Sequence, residues 1–224
     1  IPWGTGSDGD IIIASGTTTN ISSTNIATGR KCNDGGDGIS YYVLEVNNLY
    51  AKLANMVTAG CLVQNDEVML INLQGNSTST DNVGNYEFLR VNRIIDNMVY
   101  FTSQKTNFFG EGENSDANIG VDSGQQRVML IRVPNYHNVT INGALTANAW
   151  NGYKDGVVVF RANGTLSGSG TINTTALGYA GGHGGSAHGG IQGESYGGVG
   201  GVSTSANLGG GGGGPSGSNG FAGG

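Results

Sequence analysis

The chain has 224 residues, a formal net charge of −6 and only 12% charged residues, while Gly, Asn, Ser and Thr number 43, 25, 18 and 18, nearly half of it. Sixteen acidic against ten basic residues is the wrong balance for a nucleic-acid partner, whose phosphates call for Lys and Arg, and no apolar run reaches the roughly 18 residues of a membrane-spanning helix. Three Pro exclude collagen, and Gly, Asn, Ser and Thr are poor helix-interior residues, so the composition points to an all-β chain outside the cell.

The chain opens Ile1-Pro2-Trp3-Gly4, without Met or an apolar leader, and reads as a mature or trimmed chain. Asp10-Ile11-Ile12-Ile13-Ala14 is a short buried strand between Gly9 and Gly16. Asp8-Gly9-Asp10 and Asp34-Gly35-Gly36-Asp37-Gly38 resemble pieces of calcium loops, but neither has the twelve-residue loop with a terminal Glu; turn chemistry accounts for both. Cys32 and Cys61 would pair in an oxidising compartment and close a loop of roughly 30 residues; two buried thiols are the other possibility, and spacing leaves both open.

Tyr41-Tyr42-Val43-Leu44-Glu45-Val46 is the next strand. Leu49, Leu53, Met56 and Val57 then recur at helical spacing before Gly60, which predicts one short helix. Glu67–Leu73 is a strand, and Tyr86–Val91 is another with Tyr86, Phe88 and Val91 facing inward. Asp96-Asn97 reads as a two-residue turn between Arg93-Ile94-Ile95 and Met98-Val99-Tyr100-Phe101. Residues 61–103 thus form an antiparallel meander or small barrel, followed by a long polar loop over 104–124. Short strands resume at Val128–Val133, Val139–Ile141, Val157–Phe160, Thr165-Leu166 and Thr171-Ile172, separated by Asn-Gly, Asp-Gly and Ser-Gly-Ser-Gly, the spacing of stacked β turns or a sandwich edge.

Composition changes near Ala176. Residues 178–224 hold 22 of the 43 Gly and a single charge, Glu194. Gly178, Gly181, Gly184, Ala187, Gly190 and Gly193 recur every third position, the period of a polyproline-II-type helix, so a side-chain-free edge would let such helices pack backbone to backbone. Tyr179, His183, His188 and Tyr196 would then point outward as recognition side chains. A flexible Gly/Ser linker is the plain alternative, but it explains neither the period nor the aromatic residues. The chain stops within a glycine tract, and the natural protein is expected to continue. The organisation expected is a β domain over 1–125, a short-strand region over 126–177 and a glycine-rich tract over 178–224.

The run Ile131-Arg132-Val133-Pro134, Asn138-Val139-Thr140, Leu145-Thr146-Ala147, Trp150, Gly156–Arg161, Gly164-Thr165-Leu166 and Gly178-Tyr179-Ala180-Gly181-Gly182 resembles a module of glycine-rich bacterial and phage surface proteins. It is similar in style to the polyglycine-II crowns of phage long-tail-fibre tip adhesins, and more distantly to the glycine-rich domain of the anaplastic lymphoma kinase receptor family. The likeness covers about residues 128–205, and the β domain ahead of the glycine tract is much larger than in the tip adhesins. It implies an extracellular, adhesive or structural role, with no catalytic residues to carry over.

Candidate chemistry is sparse. His183 and His188 with Glu194 fall short of the three or four protein ligands of a structural metal site; calcium at Asp34 and Asp37 is a secondary option, and no cofactor is required. Five sequons, at Asn20, Asn76, Asn138, Asn163 and Asn173, are glycosylation candidates where the source glycosylates Asn. Tyr136, Trp150, Tyr153, Tyr179 and Tyr196 suit carbohydrate or protein surfaces, although core packing is the favoured reading for Trp150. The reading is an all-β structural or adhesive protein of a surface fibre, filament or virion appendage, not an enzyme. Its partners would be other copies of itself or another fibre protein, and a cell-surface glycan or protein receptor. A filament subunit using strand exchange is the alternative, and a β-helical polysaccharide-degrading enzyme the third.

Overall fold

The computed structural model describes residues 3–182 and 193–198. Among them are thirteen strands and no helix: β1 Gly9–Ile13, β2 Thr18–Asn20, β3 Ser40–Asn47, β4 Tyr50–Leu53, β5 Glu67–Gln74, β6 Tyr86–Ile95, β7 Met98–Phe101, β8 Arg127–Val133, β9 Asn135–Ile141, β10 Ala144–Thr146, β11 Arg161–Ala162, β12 Leu166–Ser167 and β13 Thr171–Ile172. Two bodies share them.

The first is a closed barrel in the order β3-β4-β7-β6-β5-β8, with every pairing antiparallel. Alternate residues fill it: Tyr41, Val43, Ala51, Leu53, Val68, Leu70, Leu89, Val91, Val99, Phe101, Val128 and Leu130. Closure leaves no free edge. The polar loop over 104–124 is pinned rather than loose. Phe109 enters the core, Asn72 Nδ2 donates to its carbonyl at 2.7 Å, and Asn82 Nδ2 donates to the Gly110 and Gly112 carbonyls at 2.8 Å each.

The second body is a stack of short parallel strands. Strand β9 pairs with β1 on one side and with β11 and β12 on the other; β10 lies between β2 and β13. Three successive coils result. Val139 meets Leu166, and Ala144 meets Thr171, each 27 residues further along, whereas Ile11 meets Val139 across 128 residues. The whole barrel is therefore inserted between the first coil and the second. Ile11, Ile13, Tyr136, Val139, Ile141 and Leu145 form the coil core. Glycine sets the stacking distance at the corners. A Cβ on Gly143 would lie 2.3 Å from the Ala14 carbonyl oxygen, and one on Gly170 would lie 2.0 Å from that of Gly143. The Asn-Gly and Ser-Gly separators mark places where one turn lies directly on another.

The bodies meet along a shared apolar face. Met69, Met129, Ile131 and Val133 point out of the barrel onto Val157 and Val159, while Val158 and Phe160 point into the coil core. Strand β8 and the 157–160 run are thus covered on both sides, which explains their unbroken apolar character. A disulfide joins Cys32 to Cys61, tying the segment between β2 and β3 to the loop after β4.

Three expectations need correction. The predicted helix is absent: Ala51 and Leu53 alternate into the barrel on β4, Met56 is exposed, and pairing to β3 and β7 takes up the β4 backbone. On β6 the inward residues are Leu89 and Val91, and Tyr86 and Phe88 face out, because Val68 and Met69 opposite Leu89 and Phe88 set which side is the interior. The strand pairing also crosses the expected boundary at 125/126, since β1 and β2 belong with β9 and β10.

Candidate functional site

A groove runs along the seam where the 151–156 turn meets the barrel. It consists of two adjoining hollows of about 310 and 330 Å³ that share Tyr42 and Asn55. Strand β3 alternates, so Tyr41 is buried in the barrel core and only borders one hollow, while the half-buried Tyr42 lines both. The turn is built by Asn151, whose Oδ1 accepts the Tyr153 and Lys154 amides at 3.1 Å each. Tyr153 thereby comes edge-to-face against Tyr42, ring centroids 5.8 Å apart at 82°, and Asn151 Nδ2 donates to the Tyr42 hydroxyl at 3.3 Å.

A buried clamp fixes the turn. Asp155 sits in the left-handed region at φ 75° and its carboxylate accepts a short hydrogen bond from the Ser40 hydroxyl. Lys154 Nζ donates to the Ser40 carbonyl and hydroxyl oxygens at 3.0 Å each, lies 3.6 Å from Asp155 Oδ2, and stands 5.3 Å above the Tyr42 ring. Arg127 stacks on Tyr153 at 5.0 Å and donates to the Gly120 carbonyl at 2.7 Å; burial lowers the pKa of its guanidinium below the usual value. Beside this lies a second aromatic pair, Trp150 edge-on to Tyr179 at 5.6 Å. Glu194 accepts from the Trp150 indole and the Ala180 amide at 3.0 Å each, and the Tyr179 hydroxyl donates to the Leu73 carbonyl. Burial, then the Glu194 charge, push the Tyr179 hydroxyl up to about 12.

A cleft of about 430 Å³ lies between the first coil and the barrel, lined in part by Asp8, Arg30 and Asp66. Its charges are spent on one another. Arg132 donates to Asp8 Oδ1 at 2.5 Å and to the Asp37 carbonyl at 2.9 Å, Arg30 pairs with Asp66, and Asp8 Oδ2 accepts the Asn135 amide at 2.7 Å. Arg161 grips Glu67 from 2.8 and 2.9 Å, with Asn135 Nδ2 at 2.9 Å. Burial acts to raise the Glu67 pKa, but these bonds hold its carboxyl below the usual range. This network joins the two bodies and pairs the charged groups that line the cleft.

The expected site residues fall in several places. Asp37 is buried, accepting from the Ala27 amide and the Tyr136 hydroxyl at 2.8 Å each, whereas Asp34 is exposed and bonded to Thr58. Among the described residues no group of three or more His, Cys, Asp or Glu is placed to hold a metal ion. His183, His188, Gly184, Ala187 and Gly190 lie outside the described residues. Gly193 is close-packed: a Cβ there would lie 2.6 Å from the Gly182 nitrogen. Tyr196 is exposed and its carbonyl accepts from the Gly75 amide at 2.7 Å. Tyr136 is not a surface aromatic but fully buried. At three sequons the side-chain amide is engaged: Asn20 with Asn148, Asn76 with Glu111 and Asn138 with Asp10. Tyr42, Asn55, Met56 and Lys154 were not anticipated as site residues. The adjacent Tyr41-Tyr42 pair on a strand was the legible signal, because one of two neighbours must face outward.

No protein-family model matches the chain, and no curated protein matches it. Three solved phage tailspikes are similar in structure at low scores. The tailspike protein gp49 from Pseudomonas phage LKA1 is 16% identical over 50% of this chain and 19% of that one, with a TM-score of 0.28. The Gp54 tailspike of Acinetobacter baumannii bacteriophage AP22, in complex with A. baumannii capsular saccharide, is 16% identical over 73% and 27%, TM-score 0.29. The Pseudomonas phage phi297 tailspike gp61 is 13% identical over 72% and 24%, TM-score 0.27. The chain spans about a fifth to a quarter of the length of these tailspikes.

Proposed function

We propose that this chain is part of an extracellular or virion appendage and that the groove between Tyr42 and Tyr153 binds a glycan without cleaving it. The observation that carries the reading is the edge-to-face tyrosine pair set in an open hollow beside Asn55 and Asn151. Aromatic faces cover the apolar side of a sugar ring, and amides and phenols meet its hydroxyls. One tailspike named above is held with a capsular saccharide; for this chain the ligand class is inferred from its own groove.

The state of the groove's carboxylates supports binding without hydrolysis. A glycosidase needs two that are free to act as acid and base or nucleophile. Here Asp155 is locked to Ser40 and Lys154, and Asp34 is tied to Thr58. Replacing Tyr153 by Ala should weaken glycan retention about five- to ten-fold, as loss of an aromatic contact of roughly 1–1.5 kcal/mol implies. Unchanged retention on an immobilised polysaccharide panel would refute the reading, and release of reducing ends by the unaltered protein would restore the enzyme. The reading keeps other copies of the chain, or another fibre protein, as partners; sedimentation velocity of the full chain tests it.

A further inference from the structure

We infer that the groove selects an uncharged sugar bearing an apolar substituent, such as an acetamido or deoxy methyl group, over an acidic sugar. This rests on the glycan reading and adds the ligand's charge and decoration.

The first argument is what the groove has already spent. Lys154 is the cation in its lining, and an ammonium has three hydrogens to donate. Two go to the carbonyl and hydroxyl oxygens of Ser40, and the Asp155 carboxylate stands beside it at 3.6 Å. Ser40 and Asp155 are both buried, so drawing Lys154 out to meet a ligand carboxylate would strand the Asp155 charge. Arg127, stacked on Tyr153, is itself buried and bonded to Gly120. Neither cation is available to an anion.

The second argument is what remains. The Asn55 side-chain amide and the Tyr153 hydroxyl line the groove with no hydrogen-bond partner among the described residues, and both are uncharged. Asp34 adds a carboxylate at the same rim, on a chain of net charge −6, which repels an acidic sugar. Around them stand exposed apolar groups: Met56 is 66% exposed, Tyr153 40% and Val121 36%. The exposed Met56 thioether is a soft contact for a methyl group, and Asn55 offers the donor and acceptor that an amide substituent needs.

The test is calorimetric titration of the full chain with four probes: tri-N-acetylchitotriose, cellotriose, fully deacetylated chitotriose and trigalacturonic acid. The N-acetylated trimer should bind tightest, about ten-fold over trigalacturonate, and its affinity should hold from low to high salt because no ion pair is involved. Asn55→Ala and Met56→Ala should each cut its advantage over cellotriose by about three-fold or more, on the scale of one lost neutral contact. Both residues are exposed on a loop, so the variants should fold. Tighter binding of trigalacturonate, or of the triamine, falling as salt rises, would overturn the inference and leave the glycan reading standing. Failure of all four probes to bind would overturn both.

Discussion

The barrel and the coil are built from similar short strands yet hold together differently. Each barrel strand pairs antiparallel on both sides, and the sheet closes on itself around its own core. The coil pairs strands parallel, with two or three residues in five of its seven, and takes its register from glycine corners and aliphatic columns. It also leans on the barrel, through Val157 and Val159 and through the Arg132 and Arg161 networks. The barrel closes on its own core, whereas the coil's short strands stack on one another, and each body buries an apolar face against the other. The candidate groove lies where they join, with Tyr42 from one and Tyr153 from the other.

That contrast can be tested by breaking the seam first. Arg132→Ala removes one of the two cations that meet the buried Asp8 and Asp66, Arg30 being the other, so it should cost about 3 kcal/mol or more in denaturant unfolding. A null effect would mean that the bodies are energetically independent. Removing the disulfide by Cys32→Ser and Cys61→Ser should cost about 3–4 kcal/mol by loop entropy, read as a lower denaturation midpoint under oxidising conditions and none under reducing ones. Gly143→Ala strikes the coil alone. The added methyl meets the Ala14 and Thr17 carbonyl oxygens, so a loss of about 1–3 kcal/mol should appear as faster amide exchange in β1, β2 and β10 with the barrel unchanged.

The smallest effect expected is on pH. The folded Glu67 carboxyl has a pKa below its unfolded value, so its stabilisation is present above pH 4.5 and is lost as pH falls through the folded value. Glu67→Gln should therefore flatten the acid limb of the stability curve and leave neutral pH nearer to unchanged slope. An acid limb identical to that of the parent would show that another carboxylate governs it.

Much of the barrel was legible. The meander over 61–103 and the Asp96-Asn97 turn correspond to β5, β6 and β7, with Asp96 at φ 52°. The helix over Leu49–Val57 failed because apolar residues at spacings of three and four also arise by chance in a four-residue strand followed by an exposed loop. Tyr86 and Phe88 were misassigned because β6 carries bulky residues on both faces, and only Val68 and Met69 opposite decide which face is inside. At the groove, Tyr153 was picked out as a surface aromatic, whereas Tyr42 looked like one more core residue of a strand.

The sequence by itself determined that the chain is β-structured, that glycine-marked turns separate its short strands, and that its charge is too sparse and too acidic for nucleic acid. Those properties are local or compositional, and each residue carries its share of them. Only the tertiary structure decided that Ile11 pairs with Val139, that the barrel is an insertion between two coils, and that Asn151 reaches Tyr42 from 109 positions away. Parallel pairing has no short turn to announce it, and loop-closure entropy rises only slowly with length, so packing rather than proximity in sequence chooses the partner.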